Sequence, residues 1–323
     1  MTQTAKMEIA SRTLDRRFGT SFERAQLAQR KNAPACEVRL DRLELTASGI
    51  SEDLVLEIPG LRRKAKHFVR PQSPKDFVAY GRVTTIVGTN SIRKMTIQSD
   101  RRMRRLAHCK VTLIARDKTG LQPEDVLAVV NLLPDSRLVM AEVAFDFGWR
   151  SGVDGAFVRA HALFGKARPN QIGTRRCWDC WGARKAAKFV RSYFKQELGV
   201  HRLELQMNRR FLRRHGINDV SGLSRLVKVL PVHHIWFAKL DHKRVRRQLR
   251  NAGWSPRDRE RITERVREAE GNLHDQLAVL RRKGSLENVR RVLVSMPVNK
   301  LVRQALRKWA KTWANADLEA AND

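Results

Sequence analysis

The chain has 323 residues, of which 65 are Lys or Arg and 33 are Asp or Glu, giving a formal net charge of +32 at pH 7. This excess of positive charge is far outside the range of an ordinary soluble enzyme. No segment approaches the roughly 18 to 20 apolar residues that a membrane span requires. Four cysteines are too few to make a disulfide framework in a chain of this length.

The basic residues are spread along the chain and predict a polyanionic partner. Lys and Arg side chains that neutralise phosphates release condensed counterions, with a log–log salt slope of about −0.9 per phosphate on duplex DNA. Without such a partner, self-repulsion at this charge destabilises a compact domain. The N-terminus lacks the apolar block of a secretory signal, so we expect a cytoplasmic protein that binds nucleic acid.

The first two thirds of the chain predict an antiparallel sheet. Residues 1–33 are expected to form a basic N-terminal arm that ends at the breaker-rich KNAPA. Residues 34–215 then carry short segments rich in β-branched residues and bounded by turn residues. The predicted strands are CEVRLDRLELTAS, GRVTTIVG, IRKMTIQSD, CKVTLIARD, RLVMAEVAFDF, KFVRSYFK and VHRLELQMN, with one helix in GLQPEDVLAVVNLLPDS.

Residues 216–323 predict a helical C-terminal region. Apolar residues recur there at helical spacing, and Ser255 followed by Pro256 is typical of a helix N-terminus. The predicted helices are DVSGLSRLVKVL, SPRDRERITERVREAEGNLHDQLAVLRR, SLENVRRVLVSM and PVNKLVRQALRKWAKTWA. The expected fold class is therefore α+β, with an antiparallel-sheet domain followed by helices.

Two of the predicted strands carry acidic residues that share a face. Period 2 places Glu142 and Asp146 on one side of VMAEVAFDF, and Arg202 with Glu204 on one side of HRLELQ. Such a face is often only the solvated side of a half-buried sheet. Carboxylates brought together by neighbouring strands are also the ligands that Mg²⁺ and Mn²⁺ prefer, so the three acids predict a metal site.

Tyr193 is one of only two tyrosines, with Lys195 two positions on and Glu204 eleven positions on. A phenolate beside a metal can attack a backbone phosphorus in line, while Lys195 helps to lower the pKa of the phenol and Arg202 stabilises the phosphate. The product would be a phosphotyrosine ester and a free 3′ hydroxyl.

Three ordered blocks resemble the replication initiation factor family of plasmids and phages, the rolling-circle initiators of the Rep-trans type. That family shows an IDLAxD-like strand, a block like YxGSRxSxxFxRxYxK and an RxELxL strand. The first block here has Glu142 and Asp146, with Glu in the place of the usual Asp. The residues that match the second and third blocks are Gly182, Arg184, Phe189, Arg191, Tyr193, Lys195, Arg202, Glu204 and Leu205.

The resemblance covers about residues 120 to 215 and implies a metal-dependent enzyme that nicks and rejoins one DNA strand at an origin. It implies Tyr193 as nucleophile, Mg²⁺ or Mn²⁺ as cofactor, and both duplex and single-stranded DNA as partners. A homodimer and a recruited helicase are further expected partners. Many members carry a Tyr where this chain has Cys180. If the nucleophile belongs at that position, the protein is a DNA-binding regulator that keeps the fold without the reaction.

Clusters of basic residues predict where the DNA backbone is bound. Acids are sparse within them, which favours phosphate contacts on helical faces. The predicted contacts are Arg101, Arg102, Arg104, Arg105, Arg184, Lys185, Arg209, Arg210, Arg213, Arg214, Lys243, Arg244, Arg246 and Arg247.

Two further motifs, a cysteine pair and a histidine pair, give weaker indications of a metal site. CWDC at 177–180 is half of a zinc site without an evident second half, and the adjacent His233 and His234 would point to opposite faces of a strand. Charge alone does not distinguish RNA from DNA, but the chain lacks an aromatic-rich strand motif of the RNA-reading kind.

Overall fold

The computed structural model describes residues 34–69, 79–104, 106–164, 169–172, 178–183, 186–282 and 289–319. The predicted basic arm, residues 1–33, lies outside the described residues. None of the described helices is long and apolar enough to cross a membrane.

One large antiparallel sheet forms the centre of the molecule. Its ten strands follow the order β2-β3-β4-β5-β1-β6-β11-β10-β9-β8. Their bounds are β1 Glu37–Ala47, β2 Leu61–Phe68, β3 Tyr80–Gly88, β4 Ile92–Arg101, β5 Cys109–Ala115, β6 Arg137–Phe147, β8 Pro169–Ile172, β9 Trp178–Trp181, β10 Lys188–Lys195 and β11 Val200–Asn208. A small three-stranded sheet joins β7 Ala162–Leu163, β12 Trp236–Leu240 and β13 Leu293–Ser295.

Nine α-helices accompany the two sheets in the described part of the chain. They are α1 Glu52–Glu57, α2 Pro123–Val130, α3 Gly155–His161, α4 Arg209–Arg214, α5 Leu226–His233, α6 His242–Asn251, α7 Pro256–Glu268, α8 Leu273–Arg282 and α9 Val298–Glu319. Strands dominate the first part and helices the last, so the α+β fold class predicted from the sequence is confirmed.

The main hydrophobic core lies on one face of the large sheet. Alternate residues of the central strands point into it, and residues such as Leu43, Phe145 and Leu203 are fully buried. Helices α5 and α9 close this core, because the same apolar cluster contains Leu230 and Trp313. The opposite face of β6, β10 and β11 is therefore left to the polar side chains between the core residues.

A second, smaller core lies under α6, α7 and α8. It joins buried residues of these helices to the β12–β13 pair, among them Val245, Leu249, Ile262 and Leu277. Ser255 caps α7 by accepting a hydrogen bond from the backbone N–H of Asp258, and Pro256 occupies its first turn, as the sequence predicts.

The structure differs from the sequence-based expectation at several short elements. The predicted helix SLENVRRVLVSM is partly outside the described residues, and its described remainder is a 3₁₀ turn, Val289–Val292, followed by β13. Helical spacing was misleading there because β12 pairs with Leu293–Ser295 and overrides local propensity. The short helix α1 and the exposed edge strand β2 carry too weak an apolar pattern to be predicted.

Truncation of a central core residue tests this packing. Leu43 lies in a central strand with no exposed surface, so Leu43→Ala should lower the free energy of unfolding by about 2 to 5 kcal/mol. Leu54 is 45% exposed, and the matched Leu54→Ala should change it by less than about 0.5 kcal/mol. Urea unfolding measures both, and equal losses would contradict the assigned core.

Candidate active site

Strand register brings the predicted residues together on the polar face of the sheet. Tyr193 of β10 pairs with Arg202 of β11, and Arg202 pairs with Asp146 of β6. Arg191 pairs with Glu204 in the same way. Cross-strand neighbours lie about 4.5 to 5.5 Å apart at Cβ, so these side chains form one contiguous cluster.

Arg202 lies at the centre of this cluster. Its guanidinium binds Asp146 in a two-point fork, with Nε 2.6 Å from Oδ1 and Nη2 2.7 Å from Oδ2. Its Nη1 donates to Asp41 at 2.6 Å and lies 3.8 Å from Glu204. Burial opposes ionisation, but the hydrogen bonds and charges of Asp146 and Asp41 raise the pKa of Arg202 above its usual value, so it stays charged.

Arg191 joins the two remaining acids. Its Nη2 donates to Glu142 at 2.8 Å, and its Nε is paired with Glu204. Burial raises the pKa of Glu142 in spite of this arginine. The role of Arg191 was missed at the sequence level, although period 2 places it on the same face as Tyr193.

The hydroxyl of Tyr193 donates a hydrogen bond to Oε1 of Glu204 at 2.5 Å. Burial, the negative charge of Glu204 and this hydrogen bond raise the pKa of the phenol far above its ordinary value. At rest the side chain is therefore a neutral phenol whose proton already points at a carboxylate.

Asp41 enters the cluster through a β-bulge. The β1–β6 register shifts between Leu40 and Arg42, which leaves Asp41 as the extra residue and turns its carboxylate to Arg202. Burial raises the pKa of Asp41 from 3.8 to about 7, although Arg202 opposes the shift. This residue was not among those predicted from the sequence.

Lys195 reaches the pocket, where its ion-pair partner is Asp117, a residue that the sequence analysis did not single out. Its Nζ donates to Oδ1 of Asp117 at 2.9 Å, and Arg93 approaches the other oxygen of that carboxylate at 3.5 Å. Lys195 lines, with Tyr193, Arg191 and Arg202, a pocket of about 240 Å³.

The predicted metal ligands are each paired with an arginine in this arrangement. Glu142 and Glu204 are bound to Arg191, and Asp146 is bound to Arg202. Across the described part of the chain, no three His, Cys, Asp or Glu residues are grouped so that they could hold an ion. Arginine N–H groups are bonded to the carboxylate oxygens that a cation would need. The Mg²⁺ or Mn²⁺ site stays a prediction of the sequence. Cys177 of the CWDC motif lies outside the described residues.

The basic clusters divide into different environments. The first is a turn after β4 rather than the predicted helical face, since Arg101 donates to the carbonyl of Leu106 at 2.9 Å and Arg102 to that of Val69 at 2.9 Å. This cluster was expected to lie on a helical face that contacts phosphates. Instead, the guanidinium groups of Arg101 and Arg102 donate to backbone carbonyls and hold the turn together. Arg104 is exposed, while Arg105, Arg184 and Lys185 lie outside the described residues.

The other two clusters lie on helices. Arg209, Arg210, Arg213 and Arg214 are exposed on α4, and Lys243, Arg244, Arg246 and Arg247 are exposed on α6.

Comparison with known proteins gives a distant structural likeness. No protein-family profile matches the chain, and no curated protein matches its sequence. A solved structure of a rolling circle replication initiator protein from Geobacillus stearothermophilus is 15% identical, with a TM-score of 0.40 over 63% of this chain and 87% of that chain. An overlap this weak identifies neither a family nor an activity for the present protein.

Titration of Asp41 has a predictable effect on stability. Because burial raises its pKa from 3.8 to about 7, the folded state binds this proton more tightly than the unfolded state between those values. The free energy of unfolding of the wild type should therefore fall, relative to Asp41→Asn, as the pH rises through this window. Urea unfolding at a series of pH values measures the difference.

Asp53 offers the control, since its side chain is 92% exposed. The same urea series is run on Asp53→Asn. A wild-type-to-Asp41→Asn difference no larger than that of Asp53→Asn across this pH window would contradict the placement of Asp41.

Proposed function

We propose that the protein is a DNA-binding replication initiator that nicks and rejoins one strand at an origin through a tyrosine nucleophile, as in rolling-circle replication. The observation that carries this proposal is the 2.5 Å hydrogen bond from Tyr193 to Glu204 beside Arg191 and Arg202. Of these two arginines Arg202 is fully buried and Arg191 is partly exposed at the pocket. A nucleophile, a proton acceptor and cationic groups meet in one small pocket, which is the combination that phosphoryl transfer requires.

Glu204 acts as the general base in this proposal. As the phenol oxygen of Tyr193 bonds to phosphorus, its proton passes to Glu204, and the bond from phosphorus to the 3′ oxygen breaks. The 3′ oxygen takes a proton from water and leaves as a hydroxyl, while Glu204 returns its proton to water. Because the pKa of the free phenol is raised, proton transfer has to accompany attack rather than precede it. The reverse sequence rejoins the strand.

Cationic groups around the phenol would stabilise the charge on the phosphoryl oxygens. Arg191 and Lys195 keep 24% and 10% of their side-chain surface exposed at the pocket, whereas Arg202 is 1% exposed and fully engaged by acids. Arg191 and Lys195 are therefore the proposed phosphate contacts, and Arg202 is a positioning residue that holds the strands and acids in place. No step of this scheme passes through a metal ion.

The pocket admits only a small group. Its volume of about 240 Å³ is below the roughly 300 Å³ of the smallest drug-sized sites. One phosphodiester unit fits this description, and the neighbouring nucleotides would lie outside the pocket.

Replacement of the two tyrosines tests the chemistry. Tyr193→Phe should abolish an SDS-resistant adduct with supercoiled or single-stranded origin DNA, and Glu204→Gln should slow its formation about 10²- to 10⁴-fold. Tyr80→Phe is the matched control, because Tyr80 is buried and donates to the carbonyl of Ala107 at 3.3 Å, away from the pocket. Denaturing gels with Mg²⁺, with Mn²⁺ and with a chelator measure the adduct and also test the predicted metal.

The alternative function is a DNA-binding regulator without catalysis. The engagement of Glu142, Asp146 and Glu204 by arginine favours it, since these acids are not free to hold a metal in the structure described. Salt-sensitive DNA binding with no adduct under any of the three ionic conditions would establish the regulator and end the enzymatic proposal.

Helix α6 is the strongest proposed contact to the DNA backbone. Lys243, Arg246, Arg247 and Arg250 recur at three- and four-residue spacing on its exposed side, while Val245 and Leu249 are buried beneath. Within the described residues these four cations have no acid at ion-pair distance; Arg244 is paired with Asp241 at 3.2 Å. Like charges at this spacing repel one another, and a row of phosphates would relieve the repulsion.

Salt dependence tests this assignment. Replacing Lys243, Arg246, Arg247 and Arg250 together by Ala should reduce the log–log salt slope of duplex binding by about three to four units, as each lost phosphate contact contributes about 0.9. Removal of the same number of charges from α7, at Arg257, Arg261, Arg265 and Arg267, is the control, because acids alternate with these arginines. Its slope should change by less than about one unit. Fluorescence anisotropy over a salt series gives both values, and equal slopes would contradict a specific role for α6.

A further inference from the structure

A cleft of about 500 Å³ lies between the start of β6 and helix α4, separate from the Tyr193 pocket. Three guanidinium groups line it, from Arg137 on the strand and from Arg209 and Arg213 on the helix. Ser136, Asn218 and Asp219 complete its polar wall. Arg137 belongs to none of the basic clusters that the sequence predicts to contact DNA.

The two walls of the cleft are fixed to each other. The backbone N–H of Leu138 donates to the carbonyl of Asn218 at 2.7 Å, directly behind the arginines. Helix α4 is anchored by Phe211 and Leu212, which are 4% and 0% exposed. The helix therefore presents Arg209 and Arg213 to the same cleft that Arg137 lines.

The charge of the cleft is strongly positive. Asp219 is its single acidic residue, and Oδ1 of this carboxylate already accepts from the hydroxyl of Ser221 at 2.6 Å and from the N–H of Gly222 at 3.0 Å. In the described ranges, none of the three arginines makes an ion pair. Three guanidinium forks beside a hydroxyl and an amide are donors suited to the oxygens of a phosphate.

We infer that this cleft binds a phosphate group of the DNA backbone at a distance from the reacting phosphodiester. The inference rests on the proposed function for the identity of the nucleic acid. Arg137 and Glu142 are five residues apart on β6, which corresponds to roughly 16 Å along a strand. About five phosphates of one duplex strand span that length. The cleft thus fixes a flanking part of the DNA while the pocket takes the phosphodiester to be cleaved.

Helix α4 offers a matched pair of variants. Arg209→Ala with Arg213→Ala removes two cleft arginines, whereas Arg210→Ala with Arg214→Ala removes two exposed arginines of the same helix that do not line the cleft. In a Tyr193→Phe background, anisotropy with labelled duplex DNA should show about a tenfold or greater loss of affinity for the first pair. The second pair, predicted from the sequence to contact the DNA backbone but outside the cleft, should lose less affinity, about threefold. Arg137→Ala should resemble the first pair.

Substitution of Arg209 and Arg213 by Lys keeps the charge and removes the fork, so it should restore only part of the affinity. Circular dichroism melting identifies any variant that fails to fold. If the Arg209→Ala with Arg213→Ala variant fails, the affinity of the Lys pair is compared with that of the wild type instead. Equal losses of duplex affinity for the two Ala pairs would overturn the inference. They would show that the positive charge of the helix as a whole attracts DNA and that the cleft is not a specific site.

Two further measurements separate the source of the phosphate and the proposed reaction. Thermal stabilisation by inorganic pyrophosphate that is lost in Arg209→Ala with Arg213→Ala, without a difference in DNA affinity, would assign the cleft to a free nucleotide and overturn the DNA assignment. Adduct formation by otherwise wild-type protein on a short single-stranded oligonucleotide should survive both Ala pairs. If no adduct forms but the two Ala pairs still differ in their loss of duplex affinity, the proposed reaction is wrong and the assignment of the cleft to DNA binding stands.

Discussion

The buried guanidinium of Arg202 is the interaction on which the site depends. A charge with 1% of its side chain exposed is tolerable only when acids surround it, and Asp146 and Asp41 supply them from β6 and β1. Three neighbouring strands of the sheet are thereby linked through one side chain. A shift of register in any of them would leave a charge buried without its partner, which costs several kcal/mol. The same network keeps Glu204 beside Tyr193.

Charge is distributed unevenly between the pocket and the rest of the molecule. Around Tyr193, most cations of the pocket are paired with acids, in a chain of net charge +32. The unbalanced cations lie on α6 and α4, whose exposed faces in the described structure carry arginines and lysines. Such a separation suits a protein that attracts a polyanion over a wide surface but reacts at one buried point.

Much of the fold follows from sequence periodicity, and part of the site does as well. Alternation identifies β6 and β11 and places Glu142, Asp146 and Glu204 on one face. Periodicity does not reveal which strands become neighbours, so the pairing of acids with Arg191 and Arg202 could not be predicted. The strand β13 was missed because its three residues gain their structure from β12 rather than from their own pattern.

The bulge at Asp41 was visible in the sequence as a break in period. Core residues on β1 follow at positions 38, 40, 43 and 45, and the step of three between Leu40 and Leu43 is where the extra residue is inserted. The two halves of this strand therefore have opposite parity in residue number. Any comparison of β1 with a strand that lacks the extra residue needs a one-position offset at this point. Without this offset, an alignment would match Arg39 with a core position and Leu40 with a polar one. Two related strands would then look dissimilar because of the inserted residue alone.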